Sequence, residues 1–351
     1  MRVAVSLGPS NENWDEMATF VGEAERIGVD AVWSAETWGT DAATPIAYLA
    51  ASTSRIKLGT GIMQVAARTP ANIAMIALSL ASMSNDRFRL GLGASGPQVV
   101  EGWHGVPFKR MVQRLRETVE IVRLVASGGR VQHEGSYFTL PLPGGEGKAL
   151  RSSAQPREIP IYLATLGPKS LEMTGELADG WLGTSFIPEH ADIFFDHIRA
   201  GAERAGRSLS DLELQANAGV FAIGDNVEEL VAPRKPGLAF TLGAMGSRDH
   251  NFYNDAYRRA GYEDLARDVQ NLWLEGRREE AGERVPDELV LLTNLIGTEE
   301  MVRERIRAHQ GAGVTTISLQ PAGRTMAERI GNLERAVDMV GSVAREAVTP
   351  G

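Results

Sequence analysis

The sequence predicts a (β/α)8 TIM barrel, in which eight parallel strands are each followed by a helix. Three observations support this fold class. The 351 residues, 43% of them hydrophobic, suffice for one large α/β unit, and we expect a single domain over residues 1–351. Short β-rich runs alternate with longer stretches of helical period. Eight such strands fit a closed barrel better than an open sheet.

The first two units establish the pattern. A strand is expected at Val3–Gly8, followed by a helix at Trp14–Ile27 whose apolar residues share one face. Gly28 ends that helix before the second strand, Asp30–Glu36. Thr44-Pro45 then opens the next helix, at a position where the missing N–H of proline is not needed.

The same order continues along the rest of the chain. Further strands are expected at Ile56–Met63, Arg87–Ser95, Ile159–Thr165, Gly180–Phe186, Leu212–Ile223 and Thr315–Gln320. Further helices are expected at Ala71–Ser84, at Arg110–Ala126, from about Pro168, at Ala191–Ala205 and at Ala327–Val343.

Two segments fall outside this repeat. Residues 129–158, after the fourth helix, contain two β-like runs around a glycine turn, which predict a hairpin lid or a surface insertion. Residues 225–300, between strands seven and eight, are mostly helical, including Tyr253–Arg278. An insertion at that place lies on the catalytic rim of a barrel, so it is a candidate wall of a substrate cavity. A dimerisation element is the alternative, and we expect a homodimer.

Composition limits the possible partners. The formal net charge is −9 and the 36 Lys and Arg residues are scattered, which argues against a nucleic-acid partner. The sequence has no apolar run of the ~18 residues that span a bilayer. Its first residues enter a strand pattern without the features of a signal peptide. We therefore expect a cytoplasmic protein that makes no membrane contact and acts on a small molecule.

The absence of cysteine limits the chemistry. Disulfides, thiolate nucleophiles and Cys-ligated metals are excluded, so any redox reaction must use a bound cofactor. The six histidines show no metal-ligand spacing, so no metal site is expected.

Gly91-Leu92-Gly93-Ala94-Ser95-Gly96 matches the G-x-G-x-x-G pattern of dinucleotide-binding turns. Such a turn leads at once into a helix that receives the pyrophosphate, and an acidic residue ends a strand about 20 residues later. Here Pro97 and an expected loop up to Phe108 precede the next helix, and no acidic residue ends a strand at that distance. The context therefore disfavours a Rossmann fold.

The turn Thr165-Leu166-Gly167-Pro168 is a better candidate for a phosphate site, because it joins a strand directly to a helix. Pro168 suits the first helical position, so the free N–H groups from Gly167 to Ser170 could receive a phosphate. Lys169 either adds a positive charge there or points to solvent. An ordinary βα turn is the alternative.

Side chains at other strand ends are candidates for catalysis. Glu36 closes strand two and would face the barrel mouth, either as a catalytic carboxylate or in a salt bridge. His104, in the loop after strand four, is either a proton donor or a packed loop histidine. The paired glycines of Gly59-Thr60-Gly61 suggest a bulge in strand three or a close approach to a ligand.

With these segments in place, the chain resembles the luciferase-like monooxygenase superfamily of flavin and deazaflavin oxidoreductases. The resemblance is to the branch that uses coenzyme F420, and it covers nearly the whole chain. It is carried by the segments Val32–Trp38, Leu58–Ile62, Leu90–Gln98, Tyr162–Pro168 and Ala178–Trp181.

The resemblance implies which residues surround the cofactor ring. Gly61-Ile62 would carry a non-prolyl cis peptide that bulges against the ring. Ser95 and Gly96 would border the ring, and Glu36 and Thr37 would contact its edge.

The resemblance also implies where the rest of the cofactor lies. Thr165, Leu166, Gly167 and Pro168 would hold its phosphate. Arg248, in the second insertion, would pair with the phosphate or the acidic tail. The alternative is that Arg248 and Asp249 are a solvated surface pair.

The implied function is F420-dependent hydride transfer between C5 of the deazaflavin and a small organic substrate, with Glu36 or His104 handling the proton. FMN is the alternative cofactor, in a luciferase-like monooxygenase. A barrel that binds a ligand or partner without catalysis is the alternative from another class. Members that act on sugar phosphates carry an Asp-His pair where this chain has Glu36-Thr37, so the resemblance does not imply that substrate.

Overall fold

Eight parallel strands form a closed barrel, which confirms the predicted fold class. The computed structural model describes residues 1–8, 13–247 and 250–346. In chain order its strands are β1 (Arg2–Leu7), β2 (Ala31–Ser34), β3 (Lys57–Thr60), β4 (Met63–Gln64), β5 (Phe88–Gly93), β6 (His133–Glu134), β7 (Thr139–Leu140), β8 (Ile161–Ala164), β9 (Gly180–Gly183), β10 (Glu213–Ile223), β11 (Leu295–Gly297) and β12 (Thr316–Pro321). The barrel strands pair in the order β10-β12-β1-β2-β3-β5-β8-β9, and β9 pairs with β10 to close the ring.

Helices surround the barrel and fill the second insertion. They are α1 (Trp14–Ile27), α2 (Ala43–Ala50), α3 (Pro70–Met83), α4 (Pro97–Gly102), α5 (Met111–Ala126), α6 (Pro168–Leu177), α7 (Asp192–Arg204), α8 (Val227–Val231), α9 (Lys235–Gly243), α10 (Phe252–Tyr257), α11 (Glu263–Leu274), α12 (Arg278–Glu283), α13 (Asp287–Thr293), α14 (Glu299–Gly311) and α15 (Met326–Glu346). Within the described part of the chain, no helix has both the length and the apolar character that crossing a membrane requires.

Local signals explain where the helices begin and end. The side chain of Asn13 accepts the N–H of Glu16 and caps α1, and Gly28 ends that helix in the left-handed region at φ 98°. Thr69 caps α3 in the same way, with Pro70 at the first helical position. The helix ends therefore follow from the residue types that the sequence places there.

Strand three differs from its predicted range. Ile56–Met63 is divided into β3 and β4, which both pair with β5. The break lies at Gly61-Ile62, where the peptide bond is cis, as the resemblance implies. The predicted irregularity within this strand is confirmed.

The segment after the glycine motif corrects the prediction of a continuous loop. A short helix, α4, begins at Pro97 directly after the motif, with Gly96 as its N-cap residue. Proline is common at the first helical position, so Pro97 itself was the signal for this helix. The motif nevertheless belongs to a barrel, because β5 pairs with β3 and β8 of the closed ring.

The insertion between β10 and β12 is mostly helical, as predicted, but it consists of more and shorter helices than the sequence indicated. Tyr253–Arg278 is interrupted at Arg258–Tyr262 by a wide turn in which Gly261 has φ 89°. The strand β11 pairs with β10, and α14 precedes β12 as a barrel helix. The sequence analysis included β11 in the insertion and assigned no helix to the segment that forms α14.

Side chains close the amino-terminal end of the barrel. Trp33 and Tyr162 belong to a buried apolar cluster inside the ring, with their ring centroids 5.2 Å apart. At the strand starts, Lys57 Nζ lies 3.1 Å from Asp30 and 3.8 Å from Glu213. These ion pairs and rings fill the inside of the barrel towards the strand starts.

The first insertion forms a hairpin, β6 paired with β7, as predicted. It is attached to α5 by the buried carboxylate of Glu117, which accepts the backbone N–H groups of Phe138 at 2.6 Å and Tyr137 at 3.0 Å. Burial alone would raise the pKa of Glu117, but hydrogen bonds from Gln113 and from these two N–H groups outweigh it and lower the pKa to about 2. The hairpin is therefore fixed to the barrel wall.

Replacing Glu117 with glutamine is expected to lower the free energy of unfolding by about 1–3 kcal/mol at pH 7, because buried N–H groups lose a charged acceptor. The pKa of Glu117 lies below its usual value of 4.5. Its contribution is therefore present above pH 4.5 and is lost as the pH falls through about 2. Urea unfolding at pH 7 and pH 3 measures both effects. Glu120→Gln, at a half-exposed position of the same helix, should change little; equal effects of the two variants would contradict this anchoring role.

Candidate active site

A cavity of about 910 Å³ opens at the carboxyl ends of β2, β3, β5 and β8, on the face where TIM barrels place their active sites. Ten of the predicted cofactor residues line it: Glu36, Thr37, Gly61, Ile62, Ser95, Gly96, Thr165, Leu166, Gly167 and Pro168. The eleventh, Arg248, lies outside the described residues. The structure therefore brings strand ends that are far apart in sequence to one site.

The walls of this cavity are mainly apolar. Phe108, Met111 and Leu115 line one part, and Phe240 and Phe252 come from the second insertion. The rings of Phe108 and Phe252 lie 6.3 Å apart. The prediction that the insertion supplies a cavity wall is thus confirmed. Such walls suit a flat, largely apolar ring system and exclude water from it.

The glycine motif allows β5 to lie against the interrupted strand. A Cβ atom at Gly91 would lie 1.8 Å from the backbone oxygen of Thr60, and one at Gly93 would lie 2.9 Å from the Ile62 side chain. Any larger residue would push this part of the barrel apart. The first two glycines of the motif thus serve close strand packing, and Gly96 lines the cavity at the start of α4.

The predicted phosphate turn has free space at a helix N-terminus. Gly167 is the N-cap residue of α6 in an extended conformation, no side chain caps this helix, and Pro168 is its first residue. A Cβ atom at Gly167 would have Ser170 Oγ, at 3.7 Å, as its nearest contact. The backbone leading into the turn is held in place, since Trp181 Nε1 donates to the carbonyl oxygen of Thr165 at 2.9 Å. An anion can reach the positive end of α6 here.

A family model described as luciferase-like monooxygenase matches residues 1–316. The chain belongs to this family. The expected membership in the luciferase-like family, and with it the expectation of an oxidoreductase, is therefore confirmed.

Several known proteins resemble the chain over most of its length. A protein of Mycobacterium tuberculosis assigned as a coenzyme F420-dependent oxidoreductase is 42% identical over 307 residues, covering 85% of this chain and 88% of the relative. The structure of a coenzyme F420-dependent tetrahydromethanopterin reductase from Methanopyrus kandleri is similar with a TM-score of 0.79 at 24% identity, covering 96% and 98% of the two chains. An FMN complex of a Baeyer–Villiger monooxygenase from Pseudomonas putida has a TM-score of 0.71 at 18% identity, covering 98% of each chain.

Within this luciferase-like site, Glu36 is held by four hydrogen-bond donors. Arg68 forms a bidentate pair with its carboxylate at 2.7 and 3.0 Å. The N–H of Gln64 donates to Oε1 at 2.7 Å and the N–H of Ala42 donates to Oε2 at 3.0 Å. The salt-bridged interpretation of Glu36 is the one that the structure shows. Each oxygen already accepts two hydrogen bonds, which leaves little capacity for a proton or a substrate.

His104 lies in the turn after α4, and its N–H donates to the carbonyl oxygen of Val99 at 3.1 Å. In the described residues it does not line the cavity, and its buried Nε2 atom has no hydrogen-bond partner. The structure therefore places His104 outside the described lining of the cavity, and its role as a proton donor stays a prediction.

Two residues of the candidate site were not recognised from the sequence. Arg68 follows the interrupted strand, and its pairing with Glu36 depends on a fold that brings positions 32 apart together. Tyr253 lines the cavity from α10, and burial raises the pKa of its hydroxyl. The sequence analysis named Tyr253 only as the first residue of a helical stretch, because it belongs to no catalytic motif.

Proposed function

We propose that this protein is an oxidoreductase that binds coenzyme F420 and catalyses hydride transfer between C5 of the deazaflavin and a small organic substrate. The observation that carries the proposal is the cavity itself, which combines mainly apolar walls with an uncapped helix N-terminus at one side. The 42% identity to the Mycobacterium tuberculosis relative, assigned as F420-dependent, supports the choice of cofactor.

The residues present fit this cofactor. The volume of about 910 Å³ lies within the range of small-molecule sites. Gly61, Ile62 and Ser95 would border the ring, and the turn Thr165–Pro168 would hold the phosphate at the start of α6. When bound, the deazaflavin supplies a carbon that accepts or donates a hydride.

The chain itself would supply orientation, exclusion of water and a proton. Phe108, Phe240 and Phe252 line the cavity, and with a ligand bound their rings would help to exclude water, which would strengthen the electrostatic interactions inside it. The titratable groups of the described lining are Glu36, Arg110, Lys169 and Tyr253. Because Glu36 is committed to Arg68, we propose that the neutral hydroxyl of Tyr253 donates the hydrogen bond or proton to the substrate.

Side-by-side fluorescence titration with coenzyme F420 and FMN tests the cofactor. We expect F420 to bind with a dissociation constant in the micromolar range or below, and FMN to bind more weakly. Tyr253→Phe removes only the hydroxyl, so it should keep the F420 affinity while slowing reoxidation of reduced F420 by carbonyl or unsaturated compounds about 10²–10⁴-fold.

The opposite outcomes each have a defined meaning. Tighter binding of FMN would favour a flavin-dependent monooxygenase on the same fold. Binding of neither cofactor at micromolar concentrations would favour a barrel that binds a ligand or partner without catalysis. An unchanged reaction rate in Tyr253→Phe would remove Tyr253 from the mechanism without affecting the cofactor assignment.

A further inference from the structure

A second cavity, of about 350 Å³, lies over the other half of the barrel mouth. Ser185 follows β9, Asn217 lies within β10 and Gln320 within β12, while Arg234 and Asn294 come from the insertion. The described lining residues of this cavity and of the larger one do not overlap. This second cavity is therefore a separate space on the catalytic face.

The helix α9 separates the two cavities. Phe240 projects from α9 into the larger cavity, whereas Gly237, Leu238 and Thr241 line the second one. A ligand in the second cavity would thus contact the helix that also forms a wall of the proposed cofactor site. The two sites would be neighbours without sharing a contact residue.

An unpaired cation distinguishes the second cavity. Arg234 lines it, and its Nε atom is buried without a hydrogen-bond partner. Neither aspartate nor glutamate occurs in the described lining, and no described carboxylate forms an ion pair with Arg234. A partly buried guanidinium without a counter-charge is unfavourable, so the cavity has an electrostatic preference for an anion.

A bulge in β10 adds hydrogen-bond donors. The register shifts between Asn217 and Val220, and Gly219 has φ 66°. The Asn217 side-chain oxygen accepts the N–H of Gly219 at 2.9 Å, and the Asn294 side-chain oxygen accepts that of Val220 at 2.8 Å. With both amide oxygens turned to the backbone, the Asn217 amide nitrogen remains as a donor on a residue that lines the same cavity as Arg234.

We propose that the second cavity binds a small molecule through its carboxylate or phosphate group, with Arg234 as the counter-ion and Asn217 as a hydrogen-bond donor. A guanidinium binds either group bidentately, which gives both affinity and orientation. The volume limits the ligand to a small metabolite-sized anion. This site is independent of the proposed cofactor function.

Thermal-shift and calorimetric titrations with inorganic phosphate and with succinate, each against sodium chloride at equal ionic strength, test the site. We expect saturable stabilisation by at least one anion, and the comparison of the two distinguishes a phosphate from a carboxylate ligand. Arg234→Gln should weaken this binding at least tenfold and leave F420 affinity unchanged. The matched control Arg267→Gln, on the exposed side of α11, should behave as the wild type.

Phosphate could also bind at the start of α6, so the titration is repeated in Gly167→Asp, which blocks that turn. Anion binding that persists in Gly167→Asp and disappears with Arg234→Gln supports the proposal. Absence of saturable binding in the wild type, or binding lost only in Gly167→Asp, would overturn it. If Arg234→Gln does not fold, the wild type is instead modified with phenylglyoxal in the presence and absence of the same anion, and the modified arginines are mapped by mass spectrometry. Protection of Arg234 but not of Arg267 by the anion supports the site. Equal modification of Arg234 with and without the anion contradicts it.

Discussion

Gly167→Asp is expected to weaken F420 binding by at least about 100-fold while leaving the folded state intact. Aspartate is a preferred N-cap residue, and a Cβ atom at this position meets nothing closer than Ser170 Oγ at 3.7 Å. Its carboxylate would occupy the free N–H groups of α6 and repel a phosphate. Loss of two charge-assisted hydrogen bonds costs about 3 kcal/mol or more, which corresponds to at least two orders of magnitude in affinity.

Two further substitutions at this position separate charge from size. Gly167→Ala adds only a methyl group and should bind F420 nearly as the wild type does. Gly167→Asn caps the helix without a charge, so its affinity should lie between those of the alanine and aspartate variants. Fluorescence titration gives the affinities, and urea unfolding checks that stability changes by less than about 1 kcal/mol. Wild-type affinity in Gly167→Asp would exclude the turn as the phosphate site.

Glu36→Gln is expected to lower the free energy of unfolding by about 3 kcal/mol. The carboxylate and the guanidinium of Arg68 are both largely buried, with 7% and 16% of their side chains exposed. Every group that contacts the carboxylate is a donor, so the amide nitrogen of glutamine would face another donor, and Arg68 would lose its counter-charge. Breaking a buried pair by changing one partner costs about 3–5 kcal/mol, and the partial exposure of Arg68 favours the lower end.

Glu101→Gln is the matched control for this effect. Glu101 is also a carboxylate that accepts a backbone N–H, from Phe108 at 2.9 Å, but it is exposed. Its replacement should change the stability by less than about 1 kcal/mol, because water can satisfy the freed N–H. Equilibrium unfolding in guanidinium chloride compares the two variants. A Glu36→Gln protein as stable as Glu101→Gln would show that the buried pair contributes little.

The barrel and most of the cavity could be predicted because they depend on patterns that are local in sequence. Alternating strand and helix periods identify the βα units, and carboxyl ends of parallel strands converge on one face. The glycine pair at Gly61 and the turn ending at Pro168 therefore pointed to the site before any contact was known. Their grouping in one cavity follows from closure of the sheet.

Features that depend on tertiary contacts were not predicted. The pairing of Arg68 with Glu36 requires the interruption of strand three, which sets the direction of the following turn. The wide turn at Arg258–Tyr262 has only Gly261 as a local signal, within a stretch of helical period. His104 has a residue type suited to catalysis, but its orientation is decided by the short helix α4, which the sequence treats as a loop.

The unpaired charge in the second cavity also depends on tertiary contacts and could not be predicted from the sequence. Arg234 is one of many arginines in the insertion, and most of those described there are paired with a neighbouring carboxylate. Only the three-dimensional arrangement shows that the other described residues lining the cavity of Arg234 are neutral. The positions of charged residues along the sequence do not show which of them lack a counter-charge in the fold.

The division of the barrel mouth by α9 has a consequence for how such a chain can diversify. The described residues of the larger cavity come from the carboxyl ends of β2, β3, β5 and β8 and the turns and helix starts that follow them, including α4 and α5, and from the α9–α10 region; none comes from β9, β10 or β12. The latter strands contribute instead to the second cavity. Substitutions in one half can thus accumulate without disturbing ligand contacts in the other. Chimeras that exchange only the ends of β9, β10 and β12 between family members, and keep α9 and α10, would hold the larger recognition surface constant while varying its neighbour.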